Sequence, residues 1–475
     1  MSTARSTTPW LAELRALLGP GGYLDQPDEL EPFLGDWRHL YRGSTPMVAL
    51  PATTAEVAGV VRVCAEHRVP IVPHGGNTSY CGGATPRESG VELVLGLRRL
   101  NRIRELDVDN YSVTAEAGCV LARLQAASEE AGRYFPMSLG SEGSCTIGGN
   151  LSTNAGGTAV LRYGMMRDLV LGLEVVLPDG RVLDQLRSLR KDNTGYDLKQ
   201  LFIGAEGSLG VITAACLKLF PRPAAYATAI AGLRSVADAV TLLGRLRDAV
   251  GDAVVTFELI PASAMELVAR HVEAVQLPFE AAPPCSVLME LALPAPDSDL
   301  ATRLEALLEQ ALLSGLLTDA VIADSLARRD NLWKLRESIP EAQTREGASL
   351  KHDISLPTSA LPGFMTDAAP LVDSIIPGAR LIAYGHLGDG NLHFNVSPPI
   401  GMEAAAFLER GPALKRAVHD LVASRGGSFS AEHGIGRLKV GELERYEDPV
   451  ALSLMRQLKQ SLDPLGIMNP GKVLA

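Results

Sequence analysis

The amino-acid sequence predicts a mixed helix-and-strand protein divided into two or more domains. Three observations predict it. The chain has 475 residues, more than one ordinary hydrophobic core serves. Short apolar runs bounded by glycine and proline alternate with amphipathic helical segments along its length. At Pro221-Arg222-Pro223 the pattern changes, with glycine-rich turns before it and regular amphipathic helices after it. The expected boundary therefore divides residues 1–223 from residues 224–475.

Composition narrows the class. With 46% hydrophobic and 21% charged residues the chain reads as soluble and globular. A formal net charge of -11 argues against a nucleic-acid partner, since such binders are usually basic. The cysteines Cys64, Cys81, Cys119, Cys145, Cys216 and Cys285 are scattered and form no C-x-x-C. Neither a disulfide framework nor a zinc ribbon is expected, and a reducing, cytoplasmic setting fits. No apolar run is long enough to span a bilayer; residues 304–323 are interrupted by Glu305, Glu309, Gln310 and Asp319 and read as an amphipathic helix.

Taken in order, Thr8 caps the first helix, Pro9 fills its first turn and Gly19-Pro20 closes it. Thr53 or Thr54 caps a second helix that runs towards His67. A buried strand at residues 70–73 then ends in His74-Gly75-Gly76-Asn77-Thr78-Ser79. Helix, strand and glycine turn together can place backbone amides on an anion. The turn is not the G-x-G-x-x-G fingerprint, which nowhere joins a strand to a helix, so a nicotinamide dinucleotide site has no support. Residues 91–95 and 112–117 read as strands and residues 121–132 as a helix. From Asp168 come a strand, a turn at Pro178-Asp179-Gly180 and a second short strand. A second Gly/Ser turn, residues 204–210, leads into a strand at 211–219. Beyond the boundary, helices are expected at 235–250, 263–272 and 300–313, with strands at 254–259 and 286–291 between them.

The stretch from Pro136 to Gly157 holds glycine, serine, threonine and asparagine but neither lysine nor arginine. Glycines expose runs of peptide N–H and let the backbone approach a bulky ligand, and short hydroxyl and amide side chains add donors without filling the space. The apolar residues Met137, Leu139, Ile147 and Leu151 argue against a disordered loop, so a ligand cradle is favoured.

Four motifs in order make the reading specific: Pro73-His74-Gly75-Gly76-Asn77-Thr78-Ser79, Gly143-Ser144-Cys145-Thr146-Ile147-Gly148-Gly149-Asn150-Leu151, Asn154-Ala155-Gly156-Gly157 and Gly204-Ala205-Glu206-Gly207-Ser208-Leu209-Gly210. Together they resemble the FAD-dependent oxidoreductases of the vanillyl-alcohol oxidase (PCMH-type) fold. Within that fold the chain is most similar to the D-2-hydroxyacid dehydrogenases, a group that includes D-lactate, glycolate and D-2-hydroxyglutarate dehydrogenases. The similarity runs from about Asp36 to Asn469-Pro470-Gly471-Lys472. It implies an α+β class: an FAD-binding domain of two α+β subdomains, then an α+β substrate-capping domain whose last residues return to the flavin. The implied FAD contacts are Pro73, Gly75, Gly76, Asn77, Thr78 and Ser79; Ser138, Leu139, Gly140, Gly143, Ser144, Thr146, Gly148, Gly149, Asn150, Asn154 and Gly156; Glu206, Gly207, Gly210, Val211 and Ile212; and Asn469. Asn77 stands where members with covalent FAD often carry histidine, so non-covalent FAD is expected, and His74 is read as a loop residue without a role.

The sharpest chemistry lies between Tyr384 and Val396. Asp389-Gly390 is a strong signal for a two-residue type I′ hairpin. That turn would set Gly388 against Asn391, Leu387 against Leu392 and His386 against His393, with the two imidazoles on one face. Asn395, two residues on, would share that face and reach a substrate oxygen. Glu432, in Ser430-Ala431-Glu432-His433-Gly434, supplies a third ligand, and the set favours a divalent metal over a mere polar pair. The family resemblance matches the same three residues to its metal ligands. Two nitrogens and one oxygen suit zinc or manganese. His433, pointing away from its neighbour on an extended chain, is the expected general base.

The resemblance also implies that Arg336, in Trp333-Lys334-Leu335-Arg336, binds the substrate carboxylate, by the bidentate geometry arginine favours. Lys351 is similar to the lysine that D-2-hydroxyglutarate dehydrogenases use for a distal carboxylate, although Pro340 stands where they often place threonine. A buried lysine there would prefer a dicarboxylate such as D-2-hydroxyglutarate or D-malate. The implied activity is oxidation of a D-2-hydroxy acid to the 2-keto acid, with electrons passing to an electron-transfer flavoprotein, a quinone or a cytochrome. Competing readings are a D-lactate or glycolate dehydrogenase, a non-redox lyase or transferase like the alkylglycerone-phosphate synthases of this fold, and a flavin-free metal hydrolase. Monomer and homodimer both remain open.

Overall fold

The computed structural model describes residues 9–273, 275–297 and 299–475. The cap expected at Thr8 lies outside the described residues, and the first helix occupies Pro9–Leu18. The chain forms two compact units. The first takes the chain up to Gly156, Met165–Arg222 and Glu432–Ala475; the second takes Gly157–Gly164 and Pro223–Ala431.

In the first unit, a four-stranded sheet has the order Tyr23–Leu24, Val48–Ala49, Leu93–Gly96, Ile71–His74, the last three strands parallel. The helix Thr54–His67 begins where Thr53 Oγ1 accepts from the Glu56 N–H, and it buries Val57, Val60, Val61 and Cys64. These side chains join Leu14, Ile71, Leu93 and Leu95 in one apolar core. A second, antiparallel sheet has the order Ile103–Asp107, Ser112–Glu116, Val211–Lys218, Val170–Val176, Val182–Gln185. The unit is thus α+β, with these two sheets, their helices and a small two-stranded pair of Arg133–Tyr134 with Phe220–Pro221.

The glycine-rich stretch read as a ligand cradle contains a short helix, Ile147–Ser152. Thr146 caps it by accepting from the Gly149 N–H at 3.3 Å, and Ile147 and Leu151 are buried beneath it. Glycine content hid it, since the helix's own apolar face is only these two residues.

Residues 432–475 belong with the first unit although they follow the whole second unit in sequence. The Ile71 N–H donates to Ile467 O, the Asn469 N–H donates to Ile71 O, and Ile467 and Met468 enter the first core. Lys459 Nζ ties this segment down by donating to Ser208 O, Met468 O and Asp463. Such pairing joins residues almost 400 positions apart, and no local pattern announces it.

In the second unit, an antiparallel sheet has the order Val254–Pro261, Cys285–Leu293, Ala225–Leu233, Asp319–Ile322. A three-stranded sheet has the order Leu350–Ser355, Asn391–Ser397, Arg380–Tyr384. A bridge between Leu259 and Gly385 connects the two. Helices Val236–Val250, Leu300–Leu313, Leu361–Ile375 and Gly411–Ser424 bury their apolar faces in the shared core. The helix expected across residues 304–323 stops at Leu313, because Gly315 turns the chain at a φ of 70° into the strand Asp319–Ile322.

Candidate functional site

In the first unit, the strand Ile71–His74 delivers the turn at residues 75–79 to the end of its sheet. Among the described residues, the N–H groups of Gly75, Gly76, Asn77, Thr78 and Ser79 find no acceptor. Five successive free amide donors make a nest for an anion such as the pyrophosphate of a dinucleotide. The turn lies against the neighbouring loop so closely that a Cβ at Gly76 would stand 2.2 Å from Ser144 O, and one at Gly75 2.7 Å from Thr146 Oγ1. Asn77 sits at a φ of 54° and spends its side-chain N–H on Gly35 O at 2.8 Å, so it anchors the turn. Around Gly140 and Gly143 a Cβ would meet nothing within 4 Å, and Gly143 and Ser144 are exposed. These are surfaces a bulky cofactor can lie on.

Other residues expected to touch the cofactor also have structural work. A Cβ at Gly148 would stand 2.6 Å from the Ala117 side chain, one at Gly207 2.9 Å from Pro73 and one at Gly210 2.9 Å from Val175, so these glycines allow chain segments to pack. Asn154 Oδ1 accepts from the Arg167 N–H. The Glu206 carboxylate accepts from the N–H groups of Ile435 (2.7 Å) and Gly436 (2.8 Å), and its carbonyl accepts from Asn469 Nδ2 (2.8 Å). Burial pushes Glu206 up to about 7 against the pull of those two amides. Val211 and Ile212 are buried strand residues. His74 is buried against Phe33 and held neutral, pushed down to about 4 by burial.

The second unit gathers side chains. Glu258, on Val254–Pro261, is 1% exposed, and its two oxygens are both engaged. Arg336 Nε donates to Oε2 at 2.7 Å and His386 Nδ1 to Oε1 at 2.6 Å. Burial works against the charged carboxylate, yet His386 and Arg336 outweigh it and hold Glu258 down at about 2. An ionised carboxylate only accepts, so His386 donates through Nδ1, which leaves Nε2 as the ring atom that could serve a ligand. This carboxylate–histidine pairing is how proteins orient an imidazole for a metal. Arg336 arrives on the helix Leu326–Glu337, capped by Ser325, and its guanidinium lies 4.9 Å from the Tyr384 ring centroid.

The expected hairpin register is corrected. His393 pairs with Tyr384, and Asn395 with Ile382, so the connection runs from Gly385 to Gly390 instead of being two residues long. Gly385 leaves the hairpin to pair with Leu259, which widens the loop; Asn391 then donates to His386 O. His386 and His393 nevertheless converge, with ring centroids 5.4 Å apart at 73°. They meet through the loop's path, not through a strand pair. On the other side His393 is directly opposite Asp353, and Asn395 opposite Lys351. Opposed residues and residues two apart share a face, so Lys351, Asp353, His393 and Asn395 line one surface. Asn395 Nδ2 donates to Gln343 Oε1 at 2.9 Å, and Asn391 Nδ2 to Asp353 Oδ1 at 3.0 Å. Lys351 is exposed, against the expectation of a buried ammonium.

Glu432 directly follows Ala431, whose N–H donates to Asp353 O at 3.3 Å, so a single peptide separates Glu432 from that anchored point. His433 stacks on Tyr80 within the first unit, centroids 4.1 Å apart at 14°. Reasoning from sequence misses Glu258, Gln343, Tyr80 and Asp353. A lone glutamate at the centre of an apolar strand, Val254-Val255-Thr256-Phe257-Glu258-Leu259-Ile260, was the available signal for the first.

Comparison with known proteins agrees with both halves. Residues 45–185 match the family described as FAD binding domain, and residues 222–473 match FAD linked oxidases, C-terminal domain. A D-2-hydroxyglutarate dehydrogenase, mitochondrial, of Bos taurus is 44% identical over 96% of this chain and 81% of its own length. The D-2-hydroxyglutarate dehydrogenase of Stutzerimonas stutzeri is 34% identical over 98% of both chains. A D-2-hydroxyglutarate–pyruvate transhydrogenase of Saccharomyces cerevisiae is 34% identical over 98% of this chain and 94% of its own. Among solved structures, p-cresol methylhydroxylase superposes with a TM-score of 0.76 at 17% identity, over 98% of this chain and 96% of its own, a likeness of fold. Among the described residues no helix is long and apolar enough to cross a membrane.

Proposed function

Because the chain belongs to the FAD-linked oxidases, in the family of the D-2-hydroxyglutarate dehydrogenases, we propose that it oxidises D-2-hydroxyglutarate or D-malate to the 2-keto acid. The enzyme is an FAD-dependent oxidoreductase; the substrate, the metal and the base are the reading proposed. The observation that carries it is the double engagement of Glu258, which fixes Arg336 and His386 together beside His393.

Arg336 keeps its Nε on Glu258 and offers its remaining guanidinium edge to the C1 carboxylate. Asn395, oriented by Gln343, presents its carbonyl oxygen to the substrate. His433 takes the hydroxyl proton at a ring nitrogen. Accepting hydride from C2 is the chemistry that FAD supplies when bound, held without a covalent bond because Asn77 stands where an attachment histidine would. His386, His393 and Glu432 would hold a divalent cation, zinc or manganese, whose Lewis acidity lowers the hydroxyl pKa. The substrate preference rests on the relatives' activity and on Lys351 sharing the face of His393; exposure of Lys351 removes the desolvation argument. Six free cysteines fit a reducing compartment such as the cytoplasm.

An anaerobic spectral titration tests the reading. D-2-hydroxyglutarate and D-malate should bleach the flavin, the L-enantiomers should not, and acid precipitation should leave FAD in the supernatant. Bleaching by D-lactate alone would move the enzyme to the lactate branch, and a flavin that no hydroxy acid bleaches would favour the non-redox alternative. Turnover should need an artificial dye or a protein or quinone acceptor; stoichiometric NADH from added NAD⁺ would contradict the absence of a dinucleotide fingerprint.

A further inference from the structure

We propose that Tyr80 is a positioning residue for His433, holding the imidazole flat against its ring, and that Trp37 and Arg38 hold Tyr80 in turn. The inference rests on the reading of His433 as the base. The two rings lie 4.1 Å apart and within 14° of parallel. Neither the cofactor cradle nor the expected ligand set uses Tyr80.

The backbone beneath the pair is fixed from both sides. The Cys81 thiol donates to Gly434 O at 3.4 Å, and Arg437 and Leu438 donate through their N–H groups to Cys81 O at 2.8 and 3.2 Å. Gly434 has a φ of 72°, and a Cβ there would stand 2.7 Å from Glu206 Oε1. Two neighbours in sequence, Tyr80-Cys81, thus meet two others, His433-Gly434, ring on ring and thiol on carbonyl. With the peptides fixed, the freedom left to His433 is rotation about its two side-chain torsions. A parallel aromatic surface restricts both. Misplacing a reacting group by about 1 Å can cost about a hundredfold in rate, so such restriction has kinetic weight.

Tyr80 is itself braced. The Trp37 ring meets it edge-on, centroids 5.0 Å apart at 88°, and the Arg38 guanidinium lies 5.5 Å from its centroid. Trp37 Nε1 donates to Ser79 O at 3.1 Å, although Trp37 is 49% exposed. The loop carrying both is tightened by the buried carboxylate of Asp36, which accepts from the N–H groups of Arg38 (3.2 Å) and Tyr41 (2.6 Å). A half-exposed tryptophan on a tied loop contributes little to a core, and its contacts are with the Tyr80 ring and Ser79 O.

The test compares Tyr80→Phe, Tyr80→Leu and Trp37→Leu with His433→Asn, with kcat referred to bound flavin and metal content recorded. Tyr80→Leu should lower kcat about tenfold to a hundredfold, with KM within about twofold of wild type, because the ring's position is used and the substrate contacts are not. Tyr80→Phe should restore kcat to within about twofold, since the stack needs the ring and not the hydroxyl. Trp37→Leu, which loses the hydrogen bond to Ser79 O but none of the peptide N–H groups of the cradle, should lower kcat per bound flavin in the same manner by a smaller factor, and it decides the matter if Tyr80→Leu loses flavin. With C2-deuterated substrate the isotope effect on kcat should rise in Tyr80→Leu. Wild-type kcat in both leucine variants, or equal losses in Tyr80→Phe and Tyr80→Leu, would overturn the positioning role. His433→Asn separates the two readings. If it is inactive while the leucine variants turn over normally, only Tyr80 is misassigned; if it is active, the base is.

Discussion

The turn at residues 75–79 and the residues around Glu258 prepare for ligands in opposite ways. In the first, five peptide N–H groups stand without acceptors among the described residues, and none of the five residues carries a charged side chain. In the second, a buried carboxylate is already matched by an arginine and a histidine before any ligand enters. A backbone nest depends on the path of the chain, so its vulnerable point is any added Cβ. A side-chain site depends on charge balance, so its vulnerable point is the carboxylate that orients the others. The difference teaches where substitutions should hurt and which ligand each should release.

The largest expected effect is at the second site. His393→Ala should remove the divalent metal and lower kcat on the order of a thousandfold, leaving the flavin spectrum unchanged. Metal analysis and steady-state turnover check it, and full activity in metal-free mutant protein would make the histidine pair merely structural. Gly76→Ala reverses the pattern. Its Cβ would stand 2.2 Å from Ser144 O, so FAD should bind about a hundredfold more weakly while metal content stays near wild type. Flavin retained at stoichiometry after dialysis would show that the turn is not the cradle.

Glu258→Gln sharpens the comparison. The amide has one acceptor oxygen for two donors, so either Arg336 or His386 loses its partner. Metal affinity should fall about tenfold to a hundredfold, and equilibrium dialysis measures it. An unchanged affinity would separate Glu258 from the metal. Lys351→Met should matter less than a buried lysine would. An exposed ammonium contributes about 0.2–1 kcal/mol, so kcat/KM for D-2-hydroxyglutarate should fall about twofold to fivefold with D-lactate unaffected. Equal losses on both substrates would remove Lys351 from the distal contact.

The smallest effect concerns pH. Glu206 is pushed up to about 7 from an ordinary 4.5, so the folded protein binds its proton more tightly than the unfolded chain does. That contribution is complete below about 4.5 and is lost as pH rises through about 7. Glu206's share of the thermal stability should therefore shrink by about a few degrees in Tm between pH 5 and pH 8. Glu206→Gln should flatten that slope, and an identical slope in the variant would mean that the two amides, and not burial, govern the carboxyl.

Local chemistry was legible wherever it lay in consecutive residues. The helix at Thr54–His67 carries its own cap, and the strand pair at Val170–Val176 and Val182–Gln185 its own turn. The histidines were legible as a pair, but their register was not, because Gly385 answers to Leu259 on another sheet. Asp389-Gly390 is a local signal that a distant strand overrides. Glu258 was hidden for a similar reason: its partners lie 78 and 128 residues away. The close packing of Gly207 against Pro73 and of Gly210 against Val175 was not legible, since sequence alone cannot show which neighbouring segment a glycine admits.

The pairing of Ile71 with residues 467–469 also governs the order in which the protein can be made. Ile71 leaves the ribosome 396 residues before Ile467 does. At about 5–20 residues per second that interval is roughly 20–80 seconds. Throughout it the sheet edge at Ile71–His74 lacks the pairing with residues 467–469, while all of the second unit, Gly157–Gly164 and Pro223–Ala431, has time to fold. The first unit to begin is therefore the last to finish. A nascent chain arrested before residue 467 should expose that edge to a chaperone or to another chain, and the complete chain should not.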